Sequence, residues 1–524
     1  MTTSRPRGIV VIVADQLRAD HLDCYGDLPV RTPHIGSLAA RGQVFDRAFV
    51  ANPVCMPNRA TIMTGRWPSA HGLRTNGIPL DPQAETFARV LRSEHWRTSA
   101  VGKLHFQPNG YGYEDYQLDA IKDVMPQLWA RAVTGPFGED FVSWESFERH
   151  IDGDAQMPED YYGFDDVALV SGHGDRVSGH YVAWARERGF DPRTQAGRPR
   201  ALSVYPDWNH VYESATPAAL HPTSYIAEAS IDRIHEAAAT DQPFLLFVSF
   251  PDPHHPFAPP AEYYHRHRPE DMPLPETFFD THDDSPEYIK RILARRGTPD
   301  IDPMMLWSPT ADQFQHALAA ELGSIEFIDD SVGRILSALE ATGLADSTVV
   351  AFTSDHGDVF GDHGLMLKHF CHYRGAIRVP LIVAGPDITA GRRNELVSSA
   401  DIAPTLLDLA DAAPLPRAQG HSLVPLMDGA APPWRTSVLI EEDQPYTIDG
   451  LPAPVRIRTI VSDSARLTEI AGQQTVELFD LRLDADESRN VSTSSAELLS
   501  QARAEMIDQL MRVADDSVVP FHAA

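Results

Sequence analysis

The apolar positions of this chain fall into short unbroken runs separated by longer stretches of helical period. Residues 9–13 (IVVIV) are β-branched and continuous, the pattern of a strand buried on both faces. Similar runs recur at 244–250 (FLLFVSF), 348–353 (TVVAFT) and 379–384 (VPLIVA). Between them, residues 224–239 and 320–340 carry helical spacing. Strands alternating with helices predict an α/β fold: a large, mostly parallel sheet sandwiched by helices. From about Trp434 the pattern changes. RTSVLIEED, VRIRTIVSD, ARLTEIAG and TVELFDL read as closely spaced antiparallel strands, with a helix from about Ser495. The chain therefore divides into a large domain over 1–433 and an α+β subdomain over 434–524. Residues from about 110 to 221, rich in aromatics, Gly and Pro and weak in period, read as an irregular insertion over the site.

In sheets of this kind, sites form at the carboxyl ends of strands. Three of the runs end in polar groups there: Asp15-Gln16, Pro253-His254-His255-Pro256 and Ser354-Asp355-His356-Gly357. One such acid would usually be a turn residue or a helix cap. Three together point to ligand binding.

Composition narrows the classes. With 524 residues, 43% of them hydrophobic, the chain can bury one large core and a smaller one. A formal net charge of −30 argues against a nucleic-acid-backbone binder, although a few local cations can still build a pocket for a small anion. The three cysteines, Cys24, Cys55 and Cys371, form neither a disulfide framework nor a zinc-type pair. MTTSRPRG runs directly into the first strand without a signal-type apolar segment, and no window approaches a membrane span, so the expected location is cytoplasmic.

Cys55 sits in NPVCMPNRATIMTGRWP. Pro57 suits the first turn of a helix and Gly65 its end. Cys55 then lies at the helix N-terminus, where free N–H groups favour an anion, and Arg59 can reach back toward it. A buried cysteine capping a helix fits the local pattern equally well. The spacing C-x-P-x-R followed by T-G-R, however, resembles the signature of the type I sulfatases of the alkaline phosphatase-like superfamily, and the likeness extends from Asp15 to the Leu478–Leu481 stretch. Asn58 departs from the small residue more usual at its position.

The resemblance implies that a formylglycine-generating enzyme oxidises Cys55 to Cα-formylglycine. The hydrated aldehyde then offers one hydroxyl to attack sulfur and a second whose deprotonation releases sulfate. It implies one divalent metal ion on Asp15, Asp355, His356 and the modified Cys55, calcium first, with magnesium, manganese or zinc as alternatives. Gln16 replaces the second aspartate of many relatives and falls on the substrate side. Lys103 and His105 match the family's G-K-x-H motif, and two residues apart on an extended segment they would face one anion. His254 matches the sulfate-contacting histidine of P-H-x-P, Lys368 the second sulfate-binding lysine, and Asn76 in RTNG a residue beside the substrate. Arg59, the lysines and the metal would stabilise charge on the non-bridging oxygens. His105 or His254 would protonate the leaving oxygen.

The expected activity is hydrolysis of a small sulfate monoester, such as an aryl, choline-type or single-sugar sulfate, by a homo-oligomeric enzyme. A phosphonate monoester hydrolase or phosphodiesterase of the same superfamily is the alternative, and Lys103 with His105 favours sulfate. A non-catalytic relative would have lost a key residue, and none is lost. Trp129, Trp144, Trp184, Trp208, Tyr161 and Tyr162 could stack on a substrate group or belong to the core.

Overall fold

Gly8–Asp15, the first strand (β1), is buried at every residue. Its side chains alternate between two cores: Val10, Ile12 and Ala14 enter one, and Ile9, Val11 and Val13 the other. A strand that meets water on neither face requires the continuous apolar run of its sequence. The computed structural model describes residues 5–110, 121, 123–132, 141–154, 156–299, 305–429, 432–448 and 450–514.

In chain order there follow β2 (Gln43–Phe45), α1 (Cys55–Thr64), β3 (Arg97–Gly102), β4 (Asp166–His173), β5 (Arg176–Gly179) and α2 (Pro222–Ala238). Next come β6 (Phe244–Pro253), α3 (Ala311–Ala341), β7 (Thr348–Ser354), β8 (Leu381–Ala384), β9 (Gly391–Arg393) and α4 (Ile402–Leu409). These strands form one nine-stranded sheet in the order β9-β2-β8-β7-β1-β6-β3-β4-β5. Its centre, β7-β1-β6-β3-β4, is wholly parallel. Helices α2 and α3 cover one face and α1 and α4 the other.

The structure differs from the sequence pattern in two places. The 379–384 run is strand only from Leu381 and pairs antiparallel with β7, because the chain turns back from the carboxyl end of β7 without a crossover helix. The segment from 110 to 221 is not irregular throughout. It contributes β4 and β5 to the sheet, while residues 111–120, 122, 133–140 and 155 lie outside the described ones.

The C-terminal part adds a four-stranded antiparallel sheet of β10 (Ser437–Gln444), β11 (Val455–Ser462), β12 (Ala465–Ile470) and β13 (Glu477–Asp480). Helix α5 (Ala496–Val513) packs Leu498, Ala502 and Met506 against Leu439, Ile460, Leu467 and Leu478. All of β10 is buried, including its polar end Glu441–Gln444. No helix among the described residues is long and apolar enough to cross a membrane.

Candidate active site

Strand register brings the expected residues together. Ala14 on β1 pairs with Ser354 on β7, so Asp15 and Asp355, one residue further, leave neighbouring strands at the same end. On the other side of β1 a bulge after Ala14 pairs Asp15 with Pro253 of β6, which brings His254 and His255 level with the acids. Gly102 ends β3 opposite Ser249 with φ of 103°. A Cβ there would stand 1.9 Å from the Ser249 carbonyl oxygen, so glycine is needed for Lys103 to emerge beside β6.

Arg59, fully buried in α1, cross-links the acidic side. Its Nε donates to Asp355 Oδ2 at 2.7 Å and its Nη2 to Asp15 Oδ2 at 3.1 Å. Its Nη1 donates to the Lys103 carbonyl and to Ser249 Oγ, each at 2.8 Å. Arg59 was expected to face the substrate anion; instead its donors are spent on carboxylates and on the strand ends. Burial pushes the Asp15 carboxyl up, but Lys103 and Arg59 outweigh it and hold the group well below the usual carboxylate range.

His356 Nδ1 lies 2.8 Å from the Gly357 carbonyl and must be the donor, because a carbonyl only accepts. The lone pair on Nε2 then faces Asp15 Oδ1 at 3.6 Å and Asp355 Oδ1 at 3.8 Å. Asp15 Oδ1 is buried without a hydrogen-bond partner. The three ligand atoms lie within 4.8 Å of one another. Two carboxylates, an imidazole lone pair and an unsatisfied oxygen form a donor set that fits a divalent cation. Cys55, as a thiol, stands outside this trio. Its sulfur lies 3.9 Å from Lys368 Nζ and 3.7 Å from Asn76 Nδ2, and it hydrogen-bonds His105. Burial alone would raise the thiol, but Lys368, Lys103 and His105 drive it well below its ordinary value.

Cations fill the opposite side. Lys368 Nζ sits 2.9 Å from His254 Nε2 and 3.0 Å from His356 Nε2. Lys103 Nζ bonds both Asp15 Oδ2 and His173 Nε2. His254 Nδ1 donates to the His255 carbonyl, which leaves Nε2 as an acceptor for Lys368. The His173 ring stacks on His254 at 3.9 Å, and His254 on His255 at 4.1 Å. Burial first, and then neighbouring cations and imidazoles, keep these three rings neutral.

Lys103 and His105 do converge on Cys55, though not by strand alternation. His105 has φ of 57°, so the segment is no longer extended there. The turn is held by Glu145, whose carboxylate accepts from the His105, Phe106 and Gln107 N–H groups and from the Tyr161 hydroxyl. Asn76 stands beside Cys55, with Oδ1 taking the Met56 N–H at 3.2 Å. Gln16, expected at the substrate, turns away: Nε2 donates to Asp358 Oδ2 at 2.7 Å and to His255 Nδ1 at 3.1 Å. Asn58 ties α1 to the site, donating to the Asp355 carbonyl and accepting from Ala51 N–H and Ser399 Oγ. That bridging needs an amide, which a small residue could not supply.

Sequence reasoning missed His173 and Glu145. His173 was legible in principle as one more polar strand end, in VALVSGH; the weak period around it hid the strand. Glu145 carried no sequence signal. The aromatics of this region are mostly core: Tyr161 and Tyr162 pack around Phe106, Trp208 on Phe257 and Trp307, and Trp184 on Tyr181 and Tyr225. Trp144 sits edge-on to Tyr161, and half-buried Trp129 joins the cluster around Ile78.

A family model described as Sulfatase matches residues 7–412, and one described as N-sulphoglucosamine sulphohydrolase, C-terminal, matches residues 361–516. The chain is 27% identical over 525 residues to an arylsulfatase of Clostridium perfringens, covering 96% of this chain and 93% of that one. It is 25% identical over 532 residues to a choline-sulfatase of Rhizobium meliloti, covering 100% of this chain and 89% of the relative. The phosphonate monoester hydrolase structure from Agrobacterium radiobacter superposes with a TM-score of 0.76 at 26% identity, covering 97% of this chain and 95% of that one.

Proposed function

Because the chain belongs to the sulfatase family of the alkaline phosphatase-like superfamily, hydrolases of sulfate esters, we propose that it cleaves a small sulfate monoester at the pocket between Cys55, Lys103, His254 and Lys368. The carrying observation is the ligand trio Asp15, Asp355 and His356, with Asp15 Oδ1 left without a hydrogen-bond partner, set beside two buried ammonium groups and Cys55. Such a pocket suits an ester whose anionic end faces lysines while its reacting centre faces a cation.

In this reading Asp15, Asp355 and His356 hold one divalent ion, calcium first, which would offset charge building on the ester oxygens. Cys55, matured to formylglycine by a formylglycine-generating enzyme, would supply the attacking hydroxyl. Lys103 and Lys368 bind the non-bridging oxygens. Asn76 and His105 orient position 55 from its two sides. His254 Nε2, an acceptor at rest, gains a proton as the anion enters and passes it to the leaving oxygen, or His105 does so. Arg59 holds both carboxylates in place. The domain boundary near residue 434, the cytoplasmic location and the homo-oligomeric state belong to the same proposal.

The relatives' names point to aryl or choline esters as first substrates. The likeness to a phosphonate monoester hydrolase supports the second reading, in which the same pocket takes a phosphonate monoester. One experiment separates them: kcat/KM on one metal-replete preparation for an aryl sulfate and an aryl phosphonate monoester with the same leaving group. A clear preference for sulfate is expected; a preference for phosphonate overturns the first reading. Peptide mass spectrometry tests maturation separately, since active enzyme with Cys55 wholly as thiol would remove the formylglycine step.

A further inference from the structure

Lys368 rides on backbone that residues other than glycine rarely adopt. φ is 73° at Leu367, 74° at His369 and 61° at Phe370. Such conformations persist only where the surroundings over-determine them. Two buried carboxylates do so here. Asp358, at the start of the same loop, accepts from the Phe360 and Leu367 N–H groups, each at 2.7 Å. Glu442, from the buried polar end of β10, accepts from the Phe370 N–H with both oxygens, each at 3.1 Å. The backbone is thus gripped one residue before Lys368 and two residues after it.

Glu442 is itself held in one orientation. His372 Nε2 and Gln444 Nε2 each stand 2.9 Å from its oxygens, and His369 Nδ1 stands at 3.4 Å. His372 Nδ1 meets Thr459 Oγ1 on β11 at 2.7 Å, so the network is anchored in the C-terminal sheet. Burial would neutralise the carboxyl, but hydrogen bonds from His369 and His372 outweigh it and hold the group well below the usual range.

We propose that Glu442 is a positioning residue for Lys368: by holding the Phe370 N–H it fixes the strained loop so that Nζ lies between His254 and His356. The C-terminal sheet is then part of the active-site machinery and not only a cover beside it. This rests on the reading that Lys368 binds the anionic end of the ester.

The test is a double-mutant cycle in the full chain, with kcat and KM read on an aryl sulfate. Glu442→Gln keeps one acceptor oxygen but presents an amide N–H to the other donors. It is expected to lower kcat about tenfold with KM changing less, the split that a lost transition-state contact produces. On a Lys368→Ala background the same substitution should cost less than about twofold, because its route of action is already gone. Leu478→Ala, in the core of the same sheet, should lower stability while the folded enzyme keeps its kcat. Wild-type kcat in Glu442→Gln, or equal losses on both backgrounds, overturns the positioning role and leaves the reading of the site intact. Wild-type turnover in Lys368→Ala itself overturns the reading of the site. Should Glu442→Gln not fold, Glu442→Asp, which keeps the charge but withdraws it by one methylene, carries the same cycle and the same outcomes.

Discussion

Asp15, Asp355 and His356 leave two adjacent parallel strands, with the two carboxylates cross-linked by Arg59, whereas Lys103, His173, His254 and Lys368 arrive on four separate segments and meet through one another's nitrogens. On the acidic side nearly every charge already has a protein partner. On the cationic side Lys368 points only at imidazole nitrogens and the Cys55 sulfur. Lys103 is already ion-paired with Asp15, but a buried ammonium such as that of Lys368, set among imidazoles, is costly until an anion enters. The acidic half therefore serves stability as well as chemistry, while the cationic half trades stability for a site that an ester completes.

That contrast can be broken by removing one residue from each half. Arg59→Ala has the largest expected effect. It leaves two buried carboxylates short of their counter-ion and should cost about 3–5 kcal/mol in denaturant unfolding, with activity lost. A stable Arg59→Ala enzyme would show that the acidic half does not depend on its cross-link. Lys368→Ala should behave in the opposite way. Turnover is expected to fall on the order of 10²-fold, the loss typical of one charge-stabilising donor, with unfolding free energy unchanged or raised. A comparable loss of stability would erase the distinction between the halves.

His173→Ala sharpens the comparison within the cationic half. The ring bonds Lys103 and stacks on His254, and with Asp15 and His254 it forms a second group whose ligand atoms lie within 4.8 Å of one another. Its removal should lower kcat/KM about tenfold and leave metal content by mass spectrometry unchanged. Loss of the ion would place His173 with the acidic group instead.

The smallest effect concerns pH. Glu442 has its carboxyl held well below the ordinary glutamate value of 4.5 in the fold, so the folded state prefers the ionised form. Stability from it is complete above about pH 4.5 and is lost as pH falls toward the folded value. The stability gap between wild type and Glu442→Gln should therefore narrow between pH 5 and pH 3. A gap constant across that window would mean that the charge of Glu442 contributes nothing to the fold.

Much of this was legible in the chain. A β-branched run that ends in an acid reads as a buried strand delivering a carboxylate, and parallel pairing of β1 with β7 follows from the alternation of strands and helices. Asp15, Asp355 and His254 were singled out as polar strand ends, Cys55 through the spacing of C-x-P-x-R, and Lys103 through its likeness to the G-K-x-H motif. Gln16 and Arg59 were found but misplaced, because sequence marks a residue as near the site without saying which way its side chain turns. The positive φ at Gln16 directs that amide to Asp358 and His255.

By itself the sequence determined the parallel core, the strand ends that carry the acids, the helix behind Cys55 and the change of architecture near Trp434. These are local properties, set by hydrophobic period, turn residues and short-range spacing. Only the tertiary structure decided that His173 lies over Lys103, that Glu145 holds the His105 turn and that Glu442 reaches the Lys368 loop. Each of these joins segments far apart in the chain, and a polar run such as Glu441–Gln444 looks the same in sequence whether its partner is water or a buried backbone N–H. Which of the two it meets is settled by long-range packing, where the free energy of burying a charge depends on partners that no local pattern encodes.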